Sequence, residues 1–188
     1  MDRCPGTRRA LRPAAAWFPA ASQSRESQFM MKVVPTVEGG LRIEVGTATD
    51  WLVLEQIAPD ALKMKKESLA SRLSALMDEA SEWDEMVVPE LSDLFHSQLH
   101  CVQETVQGAQ KASEEDPGLG HLFISQEDGP IWYGALNQAR IALEGYYRFG
   151  PAQEIEEVES FPPPKRSAFI RSQFYSALQS VLLEHVIE

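Results

Sequence analysis

The sequence is poor in the features that usually make a chemistry readable. It holds two cysteines in 188 residues, Cys4 in an Arg/Pro/Ala-rich start and Cys101 inside an apolar-periodic stretch. Settings so unlike imply no disulfide framework, and a reducing, cytoplasmic location is the expectation. No apolar run reaches the ~18 residues that a membrane-spanning helix needs, because charges or prolines break each candidate. Excess basic charge is missing as well: the formal net charge is −11, a field that repels phosphate backbones and anionic lipid. Nucleic acid and membrane are therefore set aside as partners. There is no Gly-x-Gly-x-x-Gly, no Gly-x-x-x-x-Gly-Lys-Ser/Thr and no Gly-x-Ser-x-Gly, so neither nucleotide binding nor a serine nucleophile has a foothold. No cofactor is expected, and no internal repeat is visible.

What is present is the composition of a globular chain, 44% apolar, 9% aromatic and 24% charged. The charge is unevenly placed. In residues 1–29 five arginines (Arg3, Arg8, Arg9, Arg12, Arg25) stand against Asp2 and Glu26, a balance of +3, so the rest carries −14 of the net −11. Pro5, Pro13 and Pro19 bound the short Ala14 to Phe18 run, which is too short to make a packing helix. Residues 1–31 are expected to be a disordered leader. Met30-Met31 directly before the first strand-like segment favours a start site assigned too far upstream over a targeting peptide.

Residues 32–188 read as one mostly helical domain. Lys32 to Val37, the turn Glu38-Gly39-Gly40 and the alternating Leu41, Ile43, Val45 predict a small β-hairpin, laid against helices because a lone hairpin is marginal in water. Gly46 to Asp50 is a loop, with Asp50 as the cap of a short helix near Trp51 to Pro59. Apolar spacing predicts an amphipathic helix over Leu62 to Glu82, another from Val87 to Val106 with Pro89 either near its first turn or as a kink, and a third from Ile131 to Tyr146 opened by Ser125 to Asp128. Leu119 to Ile124 is expected to be a short extended or irregular stretch. Glu154 to Glu159 reads as a solvated acidic loop, Phe161 to Pro164 as a stiff spacer, and the last helix starts near Lys165. The fold expected is mainly α: a bundle of about four main helices with an N-terminal β-hairpin packed on it.

Three segments carry a family resemblance: Trp83-Asp84-Glu85-Met86-Val87-Val88-Pro89-Glu90-Leu91, Trp132-Tyr133-Gly134-Ala135-Leu136-Asn137-Gln138-Ala139-Arg140-Ile141-Ala142-Leu143, and Phe174-Tyr175-Ser176-Ala177-Leu178-Gln179-Ser180-Val181-Leu182. Together they resemble the bacterial domain-of-unknown-function family 2017 over about Lys32 to Glu188. The resemblance implies a short sheet element leading into a helical cytoplasmic domain, with no established activity and so no catalytic residues to carry over. It also implies a link to proteolysis, since members are often encoded beside the adaptor of the Clp protease.

Two constellations are candidate sites. Asp93, His96, His100 and Glu104 fall on one stripe of a helix, a spacing that permits a metal, although a bundle site needs further ligands from a facing helix, with Glu144, Glu184 and His185 as the volunteers. A solvated helix flank, with Cys101 packed as a small apolar residue, is the preferred reading of that stripe. The second is Asn137, Arg140 and Glu144 beside Trp132. Arg140 and Glu144 are spaced for an i,i+4 ion pair, and the group serves either as a recognition patch for a carboxylate or as a buried polar clamp holding loop carbonyls, Asp84 or Glu85. The clamp is preferred, because the helix is rich in Ala and Leu. Trp132, Tyr133 and Asn137 would also line the pocket of a small-ligand sensor, the weakest alternative. Tyr147, Phe149 and Phe161 are mostly packing, with an exposed docking surface as the other option.

The function expected is a non-enzymatic cytoplasmic interaction or regulatory module that presents an acidic and aromatic surface to another protein, with the Clp adaptor as one candidate partner and a homodimer also compatible. The alternative is a metal-dependent helical-bundle enzyme using the Asp93/His96/His100/Glu104 stripe.

Overall fold

Leu41, Ile43 and Val45 alternate with Arg42 and Glu44, and this period of two places the first three in the core and the other two toward solvent. The computed structural model describes residues 31–63, 69–77, 82–112, 118–150 and 155–187. The expected leader and its start site lie outside the described residues. Strand β1 (Lys32–Pro35) pairs antiparallel with β2 (Leu41–Val45) as the expected hairpin. Gly39 takes a positive φ of 84° in the turn.

The hairpin is not alone. The Leu119 to Ile124 stretch supplies β3 (Gly120–Ile124), which pairs antiparallel with β2 in the order β1-β2-β3, so that Leu122 joins Ile43 and Ile124 joins Leu41 on the buried face. Gly40 lies close against β3: a Cβ there would meet the Ile124 carbonyl oxygen at 2.3 Å.

Helix α1 (Ala48–Glu55) is capped by Thr47 and not by Asp50. The Thr47 hydroxyl accepts from the Asp50 N–H at 3.2 Å, while the Asp50 carboxylate turns back to accept from Gly46 N–H at 3.1 Å. After Gln56 comes α2 (Ile57–Ala61). The long helix expected over Leu62 to Glu82 is not formed. Helix α2 ends at Ala61, α3 covers only Leu69–Ser74, and residues 64–68 and 78–81 lie outside the described residues. Leu62, Leu76 and Met77, expected on the apolar face, are exposed.

A short α4 (Trp83–Met86) leads into α5 (Val88–Ala112), with Pro89 in the first turn where its missing N–H costs nothing. Helix α6 (Gly129–Tyr147) follows β3, and Ser125 and Asp128 bond to each other before it. The acidic stretch forms a short helix, α7 (Ile155–Ser160), instead of a loop. Helix α8 (Pro163–His185) starts two residues earlier than expected, because Pro163 and Pro164 sit in the first turn, where helix N–H groups have no internal partner.

The chain is thus mainly α-helical with a small antiparallel sheet, made of the early hairpin and a third strand from mid-chain. Helix α6 is the central element: it packs along α8 and against α2 and α5, while the sheet closes one side over α5. Trp132, Leu136, Ala139 and Leu143 of α6 meet Tyr175, Leu178 and Leu182 of α8 in one continuous core. Each fully buried leucine there stabilises the fold by about 1.5–3 kcal/mol. Among the described residues no helix is long and apolar enough to cross a membrane.

Candidate functional site

Helix α6 runs through the core, and its Arg140 and Gln138 are bonded to neighbouring helices. Arg140 Nη1 donates to Gln179 Oε1 of α8 at 2.5 Å, and Gln179 Nε2 donates onward to the Tyr133 carbonyl at 3.1 Å. Arg140 is therefore joined to Gln179, and among the described residues it forms no ion pair with Glu144, Asp84 or Glu85. Glu144 is exposed and accepts from Gly150 N–H at 3.4 Å, tying down the chain after α6. Asp84 bonds to the Ser74 hydroxyl. Asn137 is half-buried, and Trp132 is fully buried with its indole N–H unpaired. The i,i+4 spacing pointed to the nearest acid, but the helix turns Arg140 toward α8.

Two residues before Arg140, toward α5, Gln138 Nε2 donates to Gln98 Oε1 at 2.9 Å. Gly134 lets α5 and α6 approach this closely, since a Cβ there would fall 2.5 Å from the Gln98 amide.

The metal stripe lies on the outer flank of α5. Asp93, His96, His100 and Glu104 are all exposed. His100 Nδ1 lies 3.2 Å from Glu104 Oε2, while His96 Nδ1 is 2.7 Å from the Ser92 carbonyl, so that ring is turned along its own helix. Glu184 and His185 sit together on α8 at 4.0 Å. Among the described residues no three His, Cys, Asp or Glu side chains are gathered so as to hold a metal. Cys101 is half-buried, and burial, followed by the charge of Asp128, pushes its thiol up and away from thiolate chemistry.

The strongest polar cluster was not anticipated from the sequence. Asp60, 1% exposed, stands in α2 directly after Pro59 and receives a two-pronged grip from Arg171 of α8, Nε to Oδ2 at 2.6 Å and Nη2 to Oδ1 at 2.8 Å. The buried Tyr175 hydroxyl adds a contact of 3.0 Å to Asp60 Oδ2 and lies 3.3 Å from the Val53 carbonyl. Burial alone would lower the Arg171 pKa, but the hydrogen bonds and charge of Asp60 outweigh it and raise it. Tyr175 is raised by burial first and by the Asp60 charge second, so the phenol keeps its proton. The only sequence signal was the Arg171/Tyr175 spacing of one helical turn, which fixes no partner 111 residues away. Arg171 Nη1 donates onward to the Ser167 hydroxyl at 2.9 Å, and the cluster is a pin between α2 and α8.

The aromatic group at the end of α6 is likewise packed. Tyr147 stacks on Phe149, which meets Phe169 edge-on at 5.3 Å, and Phe161 closes the row. Lys63 Nζ donates to the Tyr147 hydroxyl at 2.9 Å.

Large apolar side chains do stand in solvent elsewhere. Leu76 is 79% exposed, Met86 67% and Phe123 59%. Phe123 lies on the outer face of the sheet opposite Arg42. A cleft of about 730 Å³ lies between α3 and α4, and its walls include Ser74, Met77, Glu82, Trp83, Asp84 and Glu85. A smaller groove of about 250 Å³ lies between α2 and α5, floored by Leu54, Ala58, Val102 and Val106 and edged by Glu55 and Gln103. Compared with protein-family models, with curated proteins and with solved structures, the chain gives no significant match.

Proposed function

We propose that this chain is a non-enzymatic interaction module, whose work is to hold another protein against its surface. The observation that carries this reading is the exposure of Leu76, Met86 and Phe123 on a chain whose interior polar groups are paired, Asp60 with Arg171 and Arg140 with Gln179. Exposed apolar side chains bordered by charge are what a recognition surface requires. The resemblance to the bacterial domain-of-unknown-function family 2017 adds a cytoplasmic setting and makes the adaptor of the Clp protease the first partner to try.

The test is native co-purification of the full tagged chain beside a Leu76→Ser/Met86→Ser/Phe123→Ser variant. All three side chains are exposed, so the variant keeps its melting temperature to within the small effect of surface changes. The expected result is a protein partner recovered with the wild type and lost from the variant. Identical recovery with both, or no partner with either, contradicts the reading.

A further inference from the structure

We draw no further inference here: the strongest candidate, the groove of about 250 Å³ between α2 and α5, carries nothing, because its floor of Leu54, Ala58, Val102 and Val106 is already nearly closed to water and nothing in the structure shows what covers its Glu55 and Gln103 edge.

Discussion

Arg171 grips Asp60 through two hydrogen bonds of 2.6 and 2.8 Å, across 111 residues of sequence, with both side chains nearly closed to water. Breaking such a pair by removing one partner leaves a charge buried alone, which costs far more than the intact pair contributes. Asp60→Ala or Arg171→Ala is therefore expected to lower stability by about 3–5 kcal/mol, read from the urea midpoint. The double variant Asp60→Leu/Arg171→Met should cost clearly less than either single change. A loss below about 1 kcal/mol for Asp60→Ala would mean that the pair is held open to solvent.

Tyr175 makes the same cluster sensitive to alkali. Its folded pKa is raised above the ordinary value of about 10 by burial and by Asp60. Above that pH the unfolded chain gives up the phenol proton while the folded chain keeps it, so stability is full below pH ~10 and falls as the pH rises beyond it. The melting temperature of the wild type should fall more steeply above pH ~10 than that of Tyr175→Phe. Parallel curves would remove Tyr175 from the alkaline transition.

The two glycines Gly40 and Gly108 should respond in opposite directions to alanine. A Cβ at Gly40 runs into the Ile124 carbonyl at 2.3 Å, so Gly40→Ala should cost about 1–3 kcal/mol as β3 is pushed off β2. A Cβ at Gly108 meets nothing within 4 Å on an exposed helical position, and Gly108→Ala should stabilise by about 0.5–1 kcal/mol. Chemical denaturation of both variants checks the pair.

Much of this architecture was legible in the sequence, and the failures share a cause. Alternation in Leu41-Arg42-Ile43-Glu44-Val45 and the three- and four-residue spacing of α5, α6 and α8 are local patterns, and they marked strand and helices directly. The third strand was ambiguous because Leu119 to Ile124 finds its partner in β2, some 80 residues back, through pairings such as Leu41 with Ile124. Apolar residues at 62, 69, 73, 76 and 77 fit one long helix, but among the described residues of that span only Leu69–Ser74 is helical, and Leu62, Leu76 and Met77 stand exposed, because spacing alone does not say which apolar side chains find a core. Polar partners were the least legible part. Arg140 lies one turn from Glu144 yet bonds Gln179, and Asp60 finds Arg171, because side-chain pairing depends on how helices pack and not on spacing within one helix.

The Arg140–Gln179 bond should act as a clamp on stability. In a double-mutant cycle with Arg140→Ala and Gln179→Ala, a coupling energy of about 0.5–1.5 kcal/mol is expected. A coupling near zero, together with an unchanged melting temperature for Arg140→Ala, would return Arg140 to the role of a recognition residue.

The exposed stripe on α5 gives a metal test. Protein purified without chelator should carry the same trace metal as its His96→Ala/His100→Ala variant, because Asp93, His96, His100 and Glu104 lie open to water and only His100 and Glu104 are joined. Near-stoichiometric zinc, iron or manganese that vanishes in the variant would bring the metal-dependent enzyme forward.

The central claim is that the chain works by holding another protein at its exposed apolar and acidic face. Photo-crosslinking in the living cell tests this most directly, with a photoreactive residue placed in turn at Met86, at Phe123 and, as a control, at His96. An interaction module gives a discrete heavier adduct with another protein from Met86 or Phe123, and none from His96. No adduct from either Met86 or Phe123 contradicts the claim.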